Sequence, residues 1–243
     1  MSSSSDRLHP CAEHKPAPDA FTTHYHQLMD IRPLYSLRLA AAGLELRLPD
    51  DQELLQLART AEKGVHPPDE MPFRVPWTDP SPTFIEDFIT HHQELRDSWS
   101  PDKWRLRLAV FVDGEPIGVQ DIRADDFHDR RSVSSGSWLS LQMQGKGYGT
   151  IARAAILSLA FLGLDAAEAR TEAMAYNRSS QRVTEKIGYQ LIGENHPLVR
   201  GRPQKELQYK LSREAFLANL QAGRIPTVEI YGAEGCRKLT GAD

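Results

Sequence analysis

Residues 142–150, QMQGKGYGT, set three glycines and one lysine between an alternating segment, SVSSGSWLSL (132–141), and an apolar run, IARAAILSLAFLGL (151–164). A strand, a glycine-rich bend and a helix follow one another here, and the use of the bend decides the fold. It is either a loose helix start or a place where something comes very close to the main chain. Two phosphate-binding spacings fail: QGKGYGT does not supply GxxxxGK[ST], and Gly145-x-Gly147-x-Gly149 lacks the third spacing of GxGxxG. A third spacing, [RQ]xxGx[GA], is met by Gln144, Gly147 and Gly149. In that arrangement the amides of the bend and of the first helical turn have no intrahelical acceptor and converge on one small volume. The helix dipole adds partial positive charge there, so a diphosphate is held without a cage of cations. Glycine lets the phosphate oxygens approach where a Cβ would fend them off.

Working outward, LELRL (44–48) alternates like a half-buried strand. PDDQELLQLARTAEKG follows with a capping Asp50, an acidic first turn and a stop at Gly64, the signature of a helix. VHPPDEMPFRVPWTDPSP (65–82) is rich in proline and reads as an irregular, fairly rigid loop, since proline suits neither helix nor sheet interiors. Its Met71, Phe73 and Trp77 either cover an apolar pocket or staple the loop to the core. Ser81-Pro82 has the form of a cap and first-turn proline for a helix over TFIEDFITHHQELRDSW. The adjacent His91 and His92 cannot share a metal from one helical face. WRLRLAVFV, the turn at Asp113-Gly114 and IGVQDIRA form a hairpin, and a third strand spans 131–141. Beyond the glycine bend come a helix (150–163), a strand (169–176), a helix (178–187) and two short strands around GYQLIG and KELQYKL. The order β-α-α-β-β-β-α-β-α-β-β is not a doubly wound alternation. It predicts an α+β fold, a mixed and mostly antiparallel twisted sheet with helices on both faces.

The bulk properties narrow the function classes. With 243 residues, 40% of them hydrophobic, the chain can bury a sizeable core, and a net charge of −4 gives no general attraction for nucleic acid or anionic lipid. Cys11 and Cys236 lie near opposite ends without paired spacing, which points to a reducing compartment, and no metal site is expected. The polar start MSSSSDRLHP lacks a signal-peptide core, and AAILSLAFLGL (154–164) is too short to cross a bilayer. A cytoplasmic protein without membrane partners is expected. Residues 1–30, rich in Ser, Pro and His, read as a disordered tail, and 31–243 as one domain with a short C-terminal extension from about 213.

A second motif lies some thirty residues beyond the first. EAMAYNRSSQRVTEKIGYQLIG puts Asn177 at a strand end, Ser180 in the next helical turn and Gly188-Tyr189 after it. With QGKGYG at this distance, the segment resembles the GNAT superfamily of acyl-CoA-dependent N-acyltransferases, in particular the RimJ/RimL-like branch with N-x-x-S-x-x-V-x-x-K-x-G-[FY]. The resemblance covers roughly 44–212. KGVHPPDEMPFRVPWT and VEIYGAEGCRKL also resemble an actinobacterial subgroup of these proteins, one that admits acyl donors larger than acetyl.

The resemblance implies a site. Backbone groups of Leu139, Ser140 and Leu141 would run beside the pantetheine arm like an added strand, one N–H polarising the thioester carbonyl. Gln144, Gly145, Lys146, Gly147, Tyr148, Gly149 and Thr150 would hold the diphosphate, with Lys146 adding charge at the rim. Asn177 would contact the pantetheine amides, and it equally suits a helix N-cap. Where many relatives carry an acidic tyrosine this chain has Thr184. Ser180 then becomes the proton donor to the leaving thiolate, or else a first-turn capping hydroxyl. The strand carboxylate common in the family aligns with Ser135. Glu172, Asp121, Asp126 and His128 remain as candidate bases, beside a water chain needing no single base. The expected activity is acetyl transfer from acetyl-CoA to a primary amine, on a protein N-terminus, a lysine or a small molecule, and RADDFHDR could attract a cationic acceptor. A larger donor such as succinyl-CoA, or a non-catalytic acyl-CoA sensor, are the alternatives, and a homodimer is compatible with either.

Overall fold

The computed structural model describes residues 29–243. The tail expected over 1–30, with its four histidines and Cys11, falls almost wholly outside the described residues. After a 3-10 turn at Arg32–Ser36, β1 (Arg38–Ala41) and β2 (Leu44–Arg47) form a hairpin. α1 (Asp51–Glu62) starts on the Asp50 cap: Glu53 N–H donates to Asp50 Oδ1 (2.8 Å) and Asp50 N–H donates back to Glu53 Oε2 (3.0 Å). α2 is Phe84–Asp97, two residues later than a Ser81 cap would set it. Ser81 Oγ instead takes the Thr83 N–H (3.2 Å) inside a turn, so Ser81-Pro82 ends the loop rather than opening the helix.

β3 (Lys103–Val112) and β4 (Glu115–Asp125) join through Asp113 (φ 51°) and Gly114 (φ 80°), the paired left-handed conformation of a tight hairpin. The short α3 (Phe127–Arg130) leads to β5 (Ser132–Leu139), and the glycine bend leads to α4 (Tyr148–Ser158). The helix expected to run to 163 widens after Ser158 into a π turn over Leu159–Gly163, closed by Leu164 N–H to Leu159 O. Next come β6 (Glu168–Met174), α5 (Arg178–Ile187), β7 (Gln190–Asn195), the small hairpin β8 (Leu198–Val199) and β9 (Arg202–Pro203), and β10 (Glu206–Ser212). The chain ends with α6 (Arg213–Gln221), β11 (Glu229–Tyr231) and α7 (Ala233–Thr240).

Nine strands form one sheet in the order β11-β1-β2-β3-β4-β5-β6-β10-β7, antiparallel at every step except β5–β6. Even-numbered β3 residues (Leu106, Leu108, Val110) join Ile156, Leu159 and Phe161 in the larger core beneath one face. On the other face Ala109, Phe111, Val119 and Trp138 pack against Leu54 and Leu57 of α1 and Phe84 and Phe88 of α2. Helices thus cover both faces of a mixed, mostly antiparallel sheet, as the element order predicts. The C-terminal segment is built into this sheet: β11 pairs with β1, and the buried indoles of Trp99 and Trp104 donate to Leu239 O (2.7 Å) and Thr240 O (3.1 Å).

Candidate active site

The one parallel contact of the sheet is where it opens. β5 and β6 pair through four residues, from Ser132 with Glu168 to Ser135 with Thr171, and then part. On its other edge β5 stays bonded to β4, and Ser140 N–H donates to Ile117 O (2.9 Å). By antiparallel alternation Ser137 and Leu139 then turn their backbone groups into the opening. Beneath it lies Arg153 of α4, buried, donating to Thr171 Oγ1 on β6 and Ser137 Oγ on β5, both at 3.1 Å. Among the described residues no carboxylate lies within 4 Å of this guanidinium, so an uncompensated cation sits under the fork.

The glycine bend stands at the mouth of the fork. Gly145 (φ 76°) and Gly147 (φ 90°) hold left-handed conformations that glycine adopts without strain, and a Cβ on either would meet nothing within 4 Å. The requirement for glycine is therefore conformational at these two positions. Among the described residues, the N–H groups of Gly145, Lys146, Gly147, Tyr148 and Gly149 have no acceptor, whereas Gln144 N–H bonds Leu141 O and Thr150 N–H bonds Gly147 O. Five free donors at the positive end of α4 fit a diphosphate. The Gln144 side chain serves elsewhere, its Nε2 donating to Val65 O (2.8 Å) and Leu139 O (2.9 Å) and so tying the proline-rich loop to the end of β5. The Lys146 ammonium rests on Met143 Sδ (3.5 Å), and the Tyr148 ring packs against the core. The expectation for Ser140 and Leu141 needs correction. Their N–H groups are spent on Ile117 O and Gly64 O (3.2 Å), which leaves Leu139, with Ser137, as the amide donors of this edge.

The 65–82 loop bridges the two arms of the fork. Beyond the Gln144 tie, Tyr176 Oη donates to Met71 O, and Arg74 reaches β6 and β10 to bond Glu172 (2.9 Å) and Glu206 (Nε–Oε1 3.0 Å). Met71 is buried with Met174 and Val199, while Phe73 and Trp77 stack toward Trp138 and Phe88. These residues both staple the loop and roof the space below it. Two clefts result. One of about 700 Å³ runs from Gly145 and Gly147 past Asn177 and Ser180 to Glu172. The other, of about 840 Å³, lies between α2, the loop and the sheet face carrying Arg105, Arg107, Asp121 and Arg123. Both are lined by Phe73, Gly136, Ser137, Trp138 and Glu172, so they meet at the fork.

The acid–base candidates divide clearly. Asn177 caps α5, its Oδ1 accepting the Ser180 N–H (3.1 Å). The Ser180 hydroxyl bonds nothing among the described residues and faces the first cleft. Glu172 stands where the clefts join. Asp121 lies in the second cleft, bound by Arg105 (2.7 Å) with Arg107 and Arg123 near 4 Å. Burial pushes its carboxyl up, but the three guanidiniums outweigh burial and hold it below the ordinary carboxylate range, which makes a poor proton acceptor. Asp126 and His128 drop out: they flank or lie in α3, where Asp126 N–H bonds Asp102 O and His128 packs near Gly241, and they line neither cleft. Of the segment RADDFHDR, Arg123 lines the second cleft and the acids line neither. His92 is buried on Phe88 (4.7 Å), and desolvation pulls it down to about 2, so it is a neutral core residue.

Residues 44–190 match the family model described as an acetyltransferase (GNAT) domain, well over half of the chain. The chain belongs to the GNAT acetyltransferase family. It is an acyl-CoA-dependent N-acyltransferase. Solved structures of similar shape include Mycobacterium smegmatis RimJ in complex with CoA-disulfide, at 19% identity and a TM-score of 0.58 over 79% of this chain and 97% of that one. An acetyltransferase of the GNAT family from Bacillus anthracis (15%, TM-score 0.56) aligns over 73% of this chain and 99% of its own. A spermidine N-acetyltransferase SpeG chimera from Vibrio cholerae and hSSAT (18%, TM-score 0.56) aligns over 72% and 99%. At these identities the likeness is one of fold.

The motifs that carry the GNAT resemblance line the first cleft. The second cleft was missed. Its arginines stand in RLRL and DIR as plain alternation, which signals a half-buried strand but not which face becomes a cleft wall. Arg74 and Glu206, 132 residues apart in sequence, carry no local signal at all. Among the described residues no cluster of His, Cys, Asp and Glu could hold a metal ion, and no helix is long and apolar enough to cross a membrane.

Proposed function

We propose that this GNAT enzyme transfers an acetyl group from acetyl-CoA to a primary amine. The five unpartnered amides at the start of α4 carry the reading, because they stand at the mouth of a cleft that ends where β5 and β6 part. In this reading Gly145, Lys146, Gly147, Tyr148 and Gly149 bind the diphosphate through their N–H groups. Ser137 and Leu139 pair with the pantetheine arm in place of the missing stretch of β6, and the N–H of one of them polarises the thioester carbonyl. Asn177 offers its free Nδ2 to a pantetheine carbonyl while its Oδ1 keeps capping α5. The amine enters from the second cleft.

Glu172, at the junction, takes a proton from the attacking amine, and Arg74 holds its carboxylate in place. The amine nitrogen forms its bond to the thioester carbon, the carbonyl reforms, and the sulfur leaves with the proton of the Ser180 hydroxyl. Solvent carries the proton from Glu172 to Ser180, so both side chains end the turnover as they began it. A thermal-shift series with coenzyme A, acetyl-CoA, succinyl-CoA and NAD tests the binding step, since a ligand of the folded state alone raises the melting temperature. Thiol release with amine panels tests the transfer. Stabilisation by acetyl-CoA together with amine-dependent thiol release supports the reading. Stabilisation without release from any amine identifies a sensor, and stabilisation by NAD alone refutes both.

A further inference from the structure

The second cleft is electrically two-ended. On β3 and β4, Arg105, Arg107 and Arg123 surround one buried carboxylate, Asp121, three formal positive charges against one negative. At the other end Glu172 and Glu206 share Arg74, two negative against one positive. The remaining acids of the lining are engaged elsewhere, Asp79 with Arg200 and Asp87 with Thr83 Oγ1 (2.7 Å). His91 lines the cleft and His92 is buried behind it, and burial lowers the pKa of both.

Arg107 is the unusual member. Its side chain is only 13% exposed, yet it makes no hydrogen bond among the described residues, and its Nε is fully enclosed without an acceptor. The contact to Asp121, at 3.8 Å, is longer than a hydrogen bond. A buried guanidinium with its donors unused is costly unless an anion completes it. Arg107 lines the cleft, and its terminal nitrogens, unlike Nε, are not enclosed without a partner. Arg123, 40% exposed, adds a second guanidinium with no hydrogen bond. Planar forks of this kind match a carboxylate.

We propose that Arg105, Arg107 and Arg123 bind a carboxylate of the reacting pair, so that the acceptor is a small amino acid-like amine whose ammonium meets Glu172 while its carboxylate meets the arginines. This inference rests on the N-acyltransferase reading above. A cleft of about 840 Å³ roofed by α2 and the 65–82 loop suits a small molecule. The same chemistry could arrive on the acyl group of a dicarboxylic donor.

The test pairs acids with their uncharged counterparts on the full chain. With acetyl-CoA as donor, glycine and β-alanine are compared with glycinamide and β-alaninamide. With the amides as acceptors, succinyl-CoA is compared with butyryl-CoA. The expected result is a kcat/KM about 10- to 100-fold higher for the amino acids than for their amides, the size of one charge-assisted hydrogen bond. Arg107→Gln and the more exposed Arg123→Gln should each shrink that ratio about tenfold through KM, with the affinity for coenzyme A unchanged. A ratio that appears only in the donor pair keeps the carboxylate site and assigns it to the acyl group. Equal rates within both pairs, or a ratio untouched by Arg123→Gln, overturn the proposal. Calorimetric titration with N-acetyl-β-alanine decides the matter even without turnover: binding that Arg123→Gln weakens supports the site, and no binding refutes it. Failure of coenzyme A to bind at all instead refutes the transferase reading.

Discussion

At the scale of single residues, the proposed chemistry rests on a hydroxyl that bonds nothing among the described residues, Ser180, and on a carboxylate held by Arg74, Glu172. Ser180 and Glu172 are the two to remove. Ser180→Ala should lower kcat by about 10²- to 10⁴-fold, the usual range for a positioned proton donor, and leave the affinity for acetyl-CoA within about twofold. Unchanged turnover in single-turnover kinetics would take Ser180 out of the mechanism. Glu172→Gln should lower kcat similarly, and unchanged turnover would take Glu172 out of the mechanism. His92 provides a test of stability. Its ordinary value of 6.5 falls to about 2 in the fold, so below pH 6.5 the unfolded chain takes up a proton that the folded chain refuses. The stability this neutral histidine allows is complete above pH 6.5 and is lost as pH falls, by about 2 kcal/mol between pH 7 and pH 5. Urea midpoints of the wild type and His92→Gln at those two pH values measure it. Loss of equal size in both proteins would show that His92 is not the group responsible.

At the scale of elements, the glycine bend separates folding from binding. Gly147 (φ 90°) caps α4 in a left-handed conformation, so Gly147→Ala should cost about 1–2 kcal/mol and weaken acetyl-CoA binding as well. Gly149 differs. It lies inside α4, and a Cβ there would touch Val183 and Leu139 at ordinary distances of 3.6 and 3.8 Å on the cleft side. Gly149→Ala should raise stability by about 0.5–1 kcal/mol, as alanine does in a helix, and yet weaken acetyl-CoA binding severalfold. Calorimetry on the two variants reads both effects. Unchanged affinity in Gly149→Ala would move the coenzyme away from this turn.

The elements themselves were largely legible in sequence, because strand alternation, the Asp50 capping box and the Asp113-Gly114 turn are local signals. The Ser81-Pro82 start of α2 misled, since a serine before a proline serves a turn as well as a cap, and here the turn came first. The fork was not legible. Nothing in SVSSGSWLSL says that its first four residues pair with β6 and the rest do not.

At the scale of the whole molecule, what the sequence hides is long-range pairing. Arg74 joins a loop to β6 and β10, and the last twenty residues complete both the sheet edge and the core. The C-terminal extension supplies β11, the carbonyl acceptors of two buried tryptophans and the buried Cys236. Ending the chain at residue 226 should therefore lower the melting temperature by more than about 10 °C or leave the protein insoluble, as expected when buried indole donors and apolar surface are exposed together. A melting curve like that of the full chain would show the segment to be dispensable. Burial also pushes the Cys236 thiol up to about 12, which predicts that it resists alkylation at pH 8 until the protein unfolds.

The account as a whole depends on five amides in one bend and a strand edge left open beside them. Amide hydrogen exchange with and without coenzyme A reads those groups directly. Slowing by at least about tenfold at 145–149, at Ser137 and at Leu139, with α3 and the C-terminal helix unchanged, is the result expected. Saturated coenzyme binding with no protection in the bend or along β5 would contradict it.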